Sequence, residues 1–497
     1  MDSSSNSKQA MWVAVGQFCA YAIGFITPMI LSRYFNKEDY GTYKQVIYVY
    51  NTLLTVFTLG LPRAYAYFIP RGNLGQSKDI IKKISNIFIL LGLFFATLLF
   101  FGADLIAGFL KNPNLAEAIK WFAPTPLFLL PVMGLDSILA AYKKTQYLAI
   151  YTVATKVFMI LCIVLPVIAF KGTYIHAIIG FDVSSFLTFL LALYLMKLPT
   201  RGVAFEKTQV SYREIFKFSL PLLTASLWIM VFHSTNQFFI SRYYGTIEFA
   251  EYSNGFTEFP LIPMVVNSVA IVLMPVFSSM AENDNKGIGD VWMSALTKTV
   301  KIIYPMAVYC IMFASLFMVC MYGIQYENSG KYYILKNIEG FFSVIPFYPI
   351  LLALGKTKNY SNIHLTFAIL IVPVQYAVVL LGGSAYLVAA VYTVCVIGKV
   401  VMQFSVVSRS IHLSFDELIP FKTMISIGLV SALSGIIPLV VINVLNNLNE
   451  FILLFLSLGL YIICYYIFCW IFRIHYKDVV KQYIGSGKLN KIMRYVP

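Results

Sequence analysis

A chain of 497 residues that is 59% hydrophobic and only 12% charged, with a mean hydropathy of +0.77, lacks the polar surface that a soluble domain needs. That composition, together with a formal charge of +15, excludes a water-soluble enzyme and points the basic residues at lipid headgroups and away from nucleic acid. The chain reads as an all-α integral membrane protein.

A bilayer core takes about 20 apolar residues per helix. In chain order such segments fall near 11–31, 45–69, 84–102, 117–140, 148–170, 174–196, 216–240, 255–280, 300–322, 334–354, 363–382, 385–407, 423–443 and 451–472, fourteen in all. The segment 117–140 carries Pro124, Pro126 and Pro131, so a bend or an unwound stretch is expected there. The first apolar run is long enough to stay as helix one and is not read as a cleavable signal. The runs lack the ten-residue alternation of an outer-membrane barrel. All seven cysteines lie within predicted helices, which suggests neither a disulfide framework nor a metal knuckle.

Two stretches align without a gap: LSRYFNKEDYGTY, Leu31–Tyr43, and ISRYYGTIEFAEY, Ile240–Tyr252. Ser32, Arg33, Tyr34 and Tyr43 answer Ser241, Arg242, Tyr243 and Tyr252. Each copy follows one apolar run and precedes another, so one helix–turn–helix unit occurs twice. A parallel repeat of this kind is a transporter architecture. It divides the chain into a first lobe of helices one to six (1–200), a basic linker (201–215) and a second lobe of helices seven to twelve (216–410). Residues 411–497 then hold two additional helices and a basic, amphipathic tail.

Lys and Arg set the orientation. Most of the 37 fall in segments on the side of the N-terminus, so both termini are expected in the cytoplasm. No connecting segment is long enough to fold a core of its own, which argues against an appended enzyme domain.

Polar residues inside the helices mark the candidate site. Helix one carries Gln17, Tyr21, Gly24 and Pro28 on one face; helix two carries Gln45, Tyr48, Thr52, Thr55 and Arg63; helix seven carries Ser226, His233, Gln237, Ser241 and Tyr244. Lipid-facing helices gain nothing from such stripes, so they are read as lining a shared interior. Hydrogen bonding within a closed bundle is the alternative.

Arg63, Lys156 and Lys399 are basic residues set six to eight positions inside a helix, within snorkelling reach of the headgroups. Arg63 shares the polar stripe of helix two, and its guanidinium suits a phosphate. Glu258 and Asp182 are acids deep enough to carry a coupling proton or sodium ion, Glu258 because Pro260 and Pro263 interrupt the helix beside it. Gly355-Lys356-Thr357 ends like a P-loop, but Ile350 stands where its first glycine belongs. The five histidines lack metal-ligand spacing, and neither a metal nor an organic cofactor is expected.

The stretch LSRYFNKEDYGTYKQ, with Arg33 and the turn Glu38, Tyr40, Gly41, Tyr43, resembles the Wzx-type polysaccharide flippases, and LGLPRAYAYFIPRG, Leu59–Gly72, is similar to the end of helix two in that family. The resemblance implies membership of the multidrug, oligosaccharidyl-lipid and polysaccharide exporter superfamily. It further implies alternating-access transfer of an undecaprenyl-diphosphate-linked oligosaccharide from the inner to the outer leaflet of the bacterial inner membrane, for O-antigen, capsule or exopolysaccharide. The family's cationic lumen would map onto Arg63, Lys156 and Lys399. Expected partners are the lipid-linked glycan, membrane lipids, and the polymerase and chain-length proteins of the same route. A cation-coupled drug exporter and a membrane-embedded polymerase are the competing readings; helix one lacks the acid of the former, and the outer loops lack the bulk of the latter.

Overall fold

The computed structural model describes residues 3–280, 285–445 and 447–476. These residues form α-helices joined by short turns, with no strand among them. In order they are α1 (Ser3–Tyr34), α2 (Lys37–Phe57), α3 (Pro62–Phe68), α4 (Leu74–Leu110), α5 (Asn114–Phe122), α6 (Thr125–Leu129), α7 (Leu135–Ala141), α8 (Thr145–Met159), α9 (Leu165–Ala169), α10 (Tyr174–Lys197) and α11 (Tyr212–Gly255). There follow α12 (Leu261–Met280), α13 (Asn285–Met312), α14 (Ala314–Tyr322), α15 (Ser329–Phe342), α16 (Tyr348–Ala353), α17 (Thr357–Leu380), α18 (Ala385–Ile411), α19 (Phe415–Leu418), α20 (Phe421–Val444) and α21 (Glu450–Ile471). Thirteen helical stretches are long and apolar enough to span a membrane. The expected all-α, multi-pass architecture holds.

Several expected spans are not single long helices: 300–322 divides at Phe313 between α13 and α14. Residues 334–354 divide between α15 and α16, because Pro346 and Pro349 remove backbone donors where the helix would have to continue. The expected interruption of 117–140 is present: α5, α6, a 3₁₀ turn at Leu130–Val132 and α7 replace one helix, and Gly134 supplies a positive φ of 94°. Helix two is also broken. After α2 the chain passes through Leu59 (φ 48°) and Gly60 (φ 70°) before Pro62 starts α3. The basic tail after Tyr476 lies outside the described residues.

The chain divides into two compact units, Met1–Ala250 and Glu251–Pro497. In the first, α1 lies on α8, where Gly16 allows close approach: a Cβ there would come within 2.8 Å of Ala149 Cα. Without a hydrophobic drive between helices in lipid, contacts between small residues are what hold such pairs. Aromatic rings fill the middle. Phe57 stacks on Phe95 at 4.2 Å, and Tyr50 meets Phe95 at 5.8 Å and Phe122 at 5.2 Å. The linker after α10 is strapped to the start of α4. Lys78 donates to the Val203 carbonyl (2.5 Å), Lys83 to the Val210 carbonyl (2.8 Å), and Asp79 accepts from the Thr208 N–H (3.0 Å). Irregular backbone is thereby satisfied by the charged first turns of a helix.

In the second unit α13 is the central post. Its Tyr309 hydroxyl meets Ser457 at 2.8 Å, and Tyr461 donates to the Pro305 carbonyl at 2.8 Å, so α21 is fastened to it, and α20 packs against both. Trp292 is fully buried among Phe277, Phe347 and Phe404.

The break in helix two is a point where one atom matters. A Cβ at Gly60 would meet the Ser219 carbonyl at 2.8 Å, at a φ that costs an L-residue about 1–2 kcal/mol. Gly60→Ala should therefore lower stability by at least about 2 kcal/mol, whereas Gly428→Ala, with open space around it, serves as control. Thermal unfolding in detergent reads the difference; equal losses would mean that the break does not depend on glycine.

Candidate functional site

The two copies of the repeat occupy equivalent environments. Ser32 and Ser241 are both fully buried, as are Tyr43 and Tyr252. The first copy turns through Asn36, whose side chain caps α2 by accepting from the Asp39 N–H at 2.8 Å. The second turns at Gly245 (φ 85°, ψ 177°), a non-helical residue inside α11. Within the first unit these turns touch: Gly41 lies against Thr246 so closely that a Cβ would collide with its carbonyl. Arg242 donates to the Phe109 carbonyl, so this arginine anchors the turn to the end of α4.

From that contact α2 and α11 run side by side, antiparallel, and a buried polar brace holds them. Gln45 donates to Ser241 Oγ at 2.7 Å and accepts from Asn112 Nδ2 at 2.6 Å, and Asn112 also donates to Thr42 at 3.0 Å. A second contact forms fifteen positions along, where Gly60 meets Ser219 and Leu222. Just past it, Tyr67 stacks on Phe218 at 4.2 Å, and the Arg71 guanidinium lies 3.5 Å over the Tyr67 ring.

Between the two contacts the helices part into a cleft of about 340 Å³. α2 contributes Tyr48, Asn51, Thr52 and Thr55; α11 contributes Ser226, His233, Ser234 and Gln237. These recur at three- and four-residue intervals, which places each set on one helix face. Tyr48 donates to the Ser234 carbonyl and Thr52 to Ser234 Oγ, both at 3.3 Å, long enough to leave capacity for other partners. The surface offers hydroxyls, carboxamides and an imidazole, and among the described residues no lysine, arginine or carboxylate lines it. Such a wall suits a neutral, hydroxyl-rich group better than an ion.

The structure thus brings together Thr52, Thr55, His233 and Gln237, and gives Gln45 a bracing position beneath them. Asn51 and Ser234 were not singled out in the sequence, although their spacing from Tyr48, Thr55 and Gln237 carries the signal. The remaining candidates lie elsewhere. Arg63 is exposed in the first turn of α3, beyond the Gly60 break. Gln17 is exposed on α1. Lys156 is half-buried on α8, 3.9 Å from Met159 Sδ, and Lys399 belongs to α18 of the second unit. Asp182 accepts a hydrogen bond from Thr125. Glu258 sits in the break before α12, paired with Lys336 at 3.0 Å. No group of three metal-ligating side chains occurs among the described residues.

A family profile described as "Polysaccharide biosynthesis protein" matches residues 7–281, more than half of the chain. A comparison with curated protein sequences finds no match. Among solved structures, the lipid II flippase MurJ in an inward closed conformation is similar with a TM-score of 0.72 and 18% identity, covering 95% of this chain and 100% of that one. A multidrug resistance MATE family transporter of the MOP superfamily, inward-facing, is similar with a TM-score of 0.59 and 11% identity, over 81% and 94%. The Vibrio cholerae MATE transporter VcmN in its bent form follows at 0.54 and 13%, over 86% and 99%. These likenesses fix the fold as the one these solved transporters share.

The brace makes a quantitative prediction. Ser241→Ala leaves the Gln45 amide short of a partner, and Gln45→Leu strands both Ser241 and Asn112. Each should destabilise by about 1–2 kcal/mol, and the double variant should lose at least about 0.5 kcal/mol less than the sum. A double-mutant cycle by thermal unfolding measures this; strict additivity would show that the two side chains are not coupled.

Proposed function

The chain belongs to the polysaccharide biosynthesis protein family, and from that premise we propose that it flips an undecaprenyl-diphosphate-linked oligosaccharide from the cytoplasmic to the outer leaflet of the inner membrane by alternating access. The observation that carries this reading is the uncharged cleft between α2 and α11, whose hydroxyl and amide groups match what sugar hydroxyls exchange hydrogen bonds with. The likeness to the lipid II flippase MurJ supports a lipid-linked cargo.

In this reading the charged and neutral parts of the cargo meet different side chains. Arg63 and Arg71, four and twelve positions after Leu59 on α3 and the turn that follows it, serve the diphosphate as it enters from the cytoplasm, through bidentate charge-assisted bonds. Thr52, Thr55, His233 and Gln237 serve the glycan. Lys156 and Lys399 act as further cations along the route. An anion moving outward gains up to about 2.3 kcal/mol per charge per 100 mV from an interior-negative potential. Asp182, held by Thr125, is the group through which a proton or sodium ion would couple, since Glu258 is already paired with Lys336. No bond is made or broken in such a transfer, so the protein works as a transporter that feeds a separate polymerase and its chain-length partner. Both termini face the cytoplasm.

The test is cellular. On depletion of the protein, complete glycan lipid should accumulate in a pool that lectin cannot reach in intact spheroplasts, and wild-type protein should clear it. Arg63→Ala and Gln237→Ala should each restore less than a tenth of the surface-accessible pool. Complete glycan lipid that lectin reaches in depleted cells would place the protein after translocation and overturn the reading.

A further inference from the structure

The second unit holds a polar cavity of its own, distinct in its lining from the cleft between α2 and α11. It has a volume of about 240 Å³ and lies between the break before α12, α12 itself and α15. Glu258 and Phe259 come from the break, Asn267 from α12, and Lys336, Asn337, Glu339 and Ser343 from α15 and its end. Pro260 and Pro263 create the break, because neither can donate to a continuing helix. The Glu258 carboxylate is thereby set at the mouth of the cavity, half exposed, while Glu339 is buried at its base.

The charges are arranged so that none is isolated. Lys336 Nζ bridges Glu258 (3.0 Å) and Glu339 (2.9 Å), and Thr393 donates to the other Glu339 oxygen at 3.3 Å. An ammonium has three donors, so two carboxylates leave one N–H for another partner. Asn337 is 97% buried, and its Nδ2 donates to the Tyr333 carbonyl at 2.8 Å. Asn267 is exposed at the rim with both halves of its carboxamide available.

This constellation selects by elimination. A bare cation would compete with Lys336, which already occupies the place between the carboxylates. An anion would meet two carboxylates for one lysine, and a hydrocarbon chain would strand every polar group in the wall. A neutral polyol satisfies them: its hydroxyls donate to carboxylate oxygens and accept from Lys336 and Asn267, while Phe259 offers an apolar ring to its C–H face. The volume equals that of roughly eight waters at about 30 Å³ each, room for a single pyranose ring and its hydroxyls.

We propose that this cavity is a sugar subsite that binds one residue of the glycan and contributes to the choice of which lipid-linked oligosaccharide is carried. The assignment rests on the flippase reading above. Its experiment uses purified full-length protein and two probes: undecaprenyl diphosphate without sugar, and the glycan lipid extracted from the native host, each titrated by native mass spectrometry. Wild type should bind the glycan lipid at least tenfold more tightly than the bare diphosphate. Asn267→Ala, at an exposed position that leaves the ion pairs intact, should remove most of that difference and leave the bare diphosphate unchanged. Ser343→Ala, at another uncharged position of the wall, should do the same, with unchanged unfolding temperature required of both variants. Equal loss for both probes, or no loss for either, would overturn the subsite and leave the flippase reading standing. A wild-type protein that binds neither probe would overturn both.

Discussion

The hydrogen bond from Gln45, two residues past the first copy of the repeated motif, to Ser241 in the second copy is what the geometry of the candidate site depends on. In lipid an amide stripped of partners costs several kcal/mol, so a buried glutamine that finds Ser241 on one side and Asn112 on the other fixes the register of α2 against α11. With that register set, the side chains at Tyr48, Thr52 and Thr55 must face Ser226, Ser234 and Gln237. The second contact, at Gly60, then decides how far the helices diverge between the two. A cleft bounded in this way is a consequence of two short contacts and the stretch of helix that neither one closes.

Periodicity carried the parts of this arrangement that repeat along the chain. The apolar runs located the helices, and the stripes on helices two and seven contain most of the residues that line the cleft. The same angular argument could not separate Gln45 from Thr52, since both share the stripe and only the third partner, Asn112 at the end of α4, tells a brace from a lining residue. Pairings across long separations were beyond reach. Glu258 reads as a deep acid that could carry a coupling ion, and the sequence does not point to Lys336, 78 positions later, as its partner. The segment 334–354 reads as one span because hydropathy averages over Pro346 and Pro349, which the backbone cannot ignore. Leu59 gives no sign in its identity of the positive φ it adopts, although Gly60 and Pro62 around it do.

The distribution of charge separates two tasks that a cationic lumen would have combined. Arg63 lies past the Gly60 break, Arg71 is stacked on Tyr67, and Arg242 is committed to the Phe109 carbonyl. The cleft itself is lined by neutral donors and acceptors. A cargo with a charged diphosphate and a neutral glycan is matched by such a division, whereas a small organic cation would find no carboxylate among the lining residues. The cavity beside Lys336 extends the same logic, with charges neutralised internally and their spare hydrogen-bonding capacity turned outward.

The central claim is that the cleft between α2 and α11 holds the glycan of a lipid-linked cargo. Photocrosslinking tests it most directly: native glycan lipid carrying a diazirine on its terminal sugar is added to the protein in proteoliposomes, irradiated, and the adducts are mapped by peptide mass spectrometry. The account predicts adducts concentrated on residues 48–55 and 226–237, competed away by unlabelled glycan lipid and lost in Gln45→Leu. Adducts confined to lipid-exposed faces such as that of α17, or insensitive to competition, would contradict it.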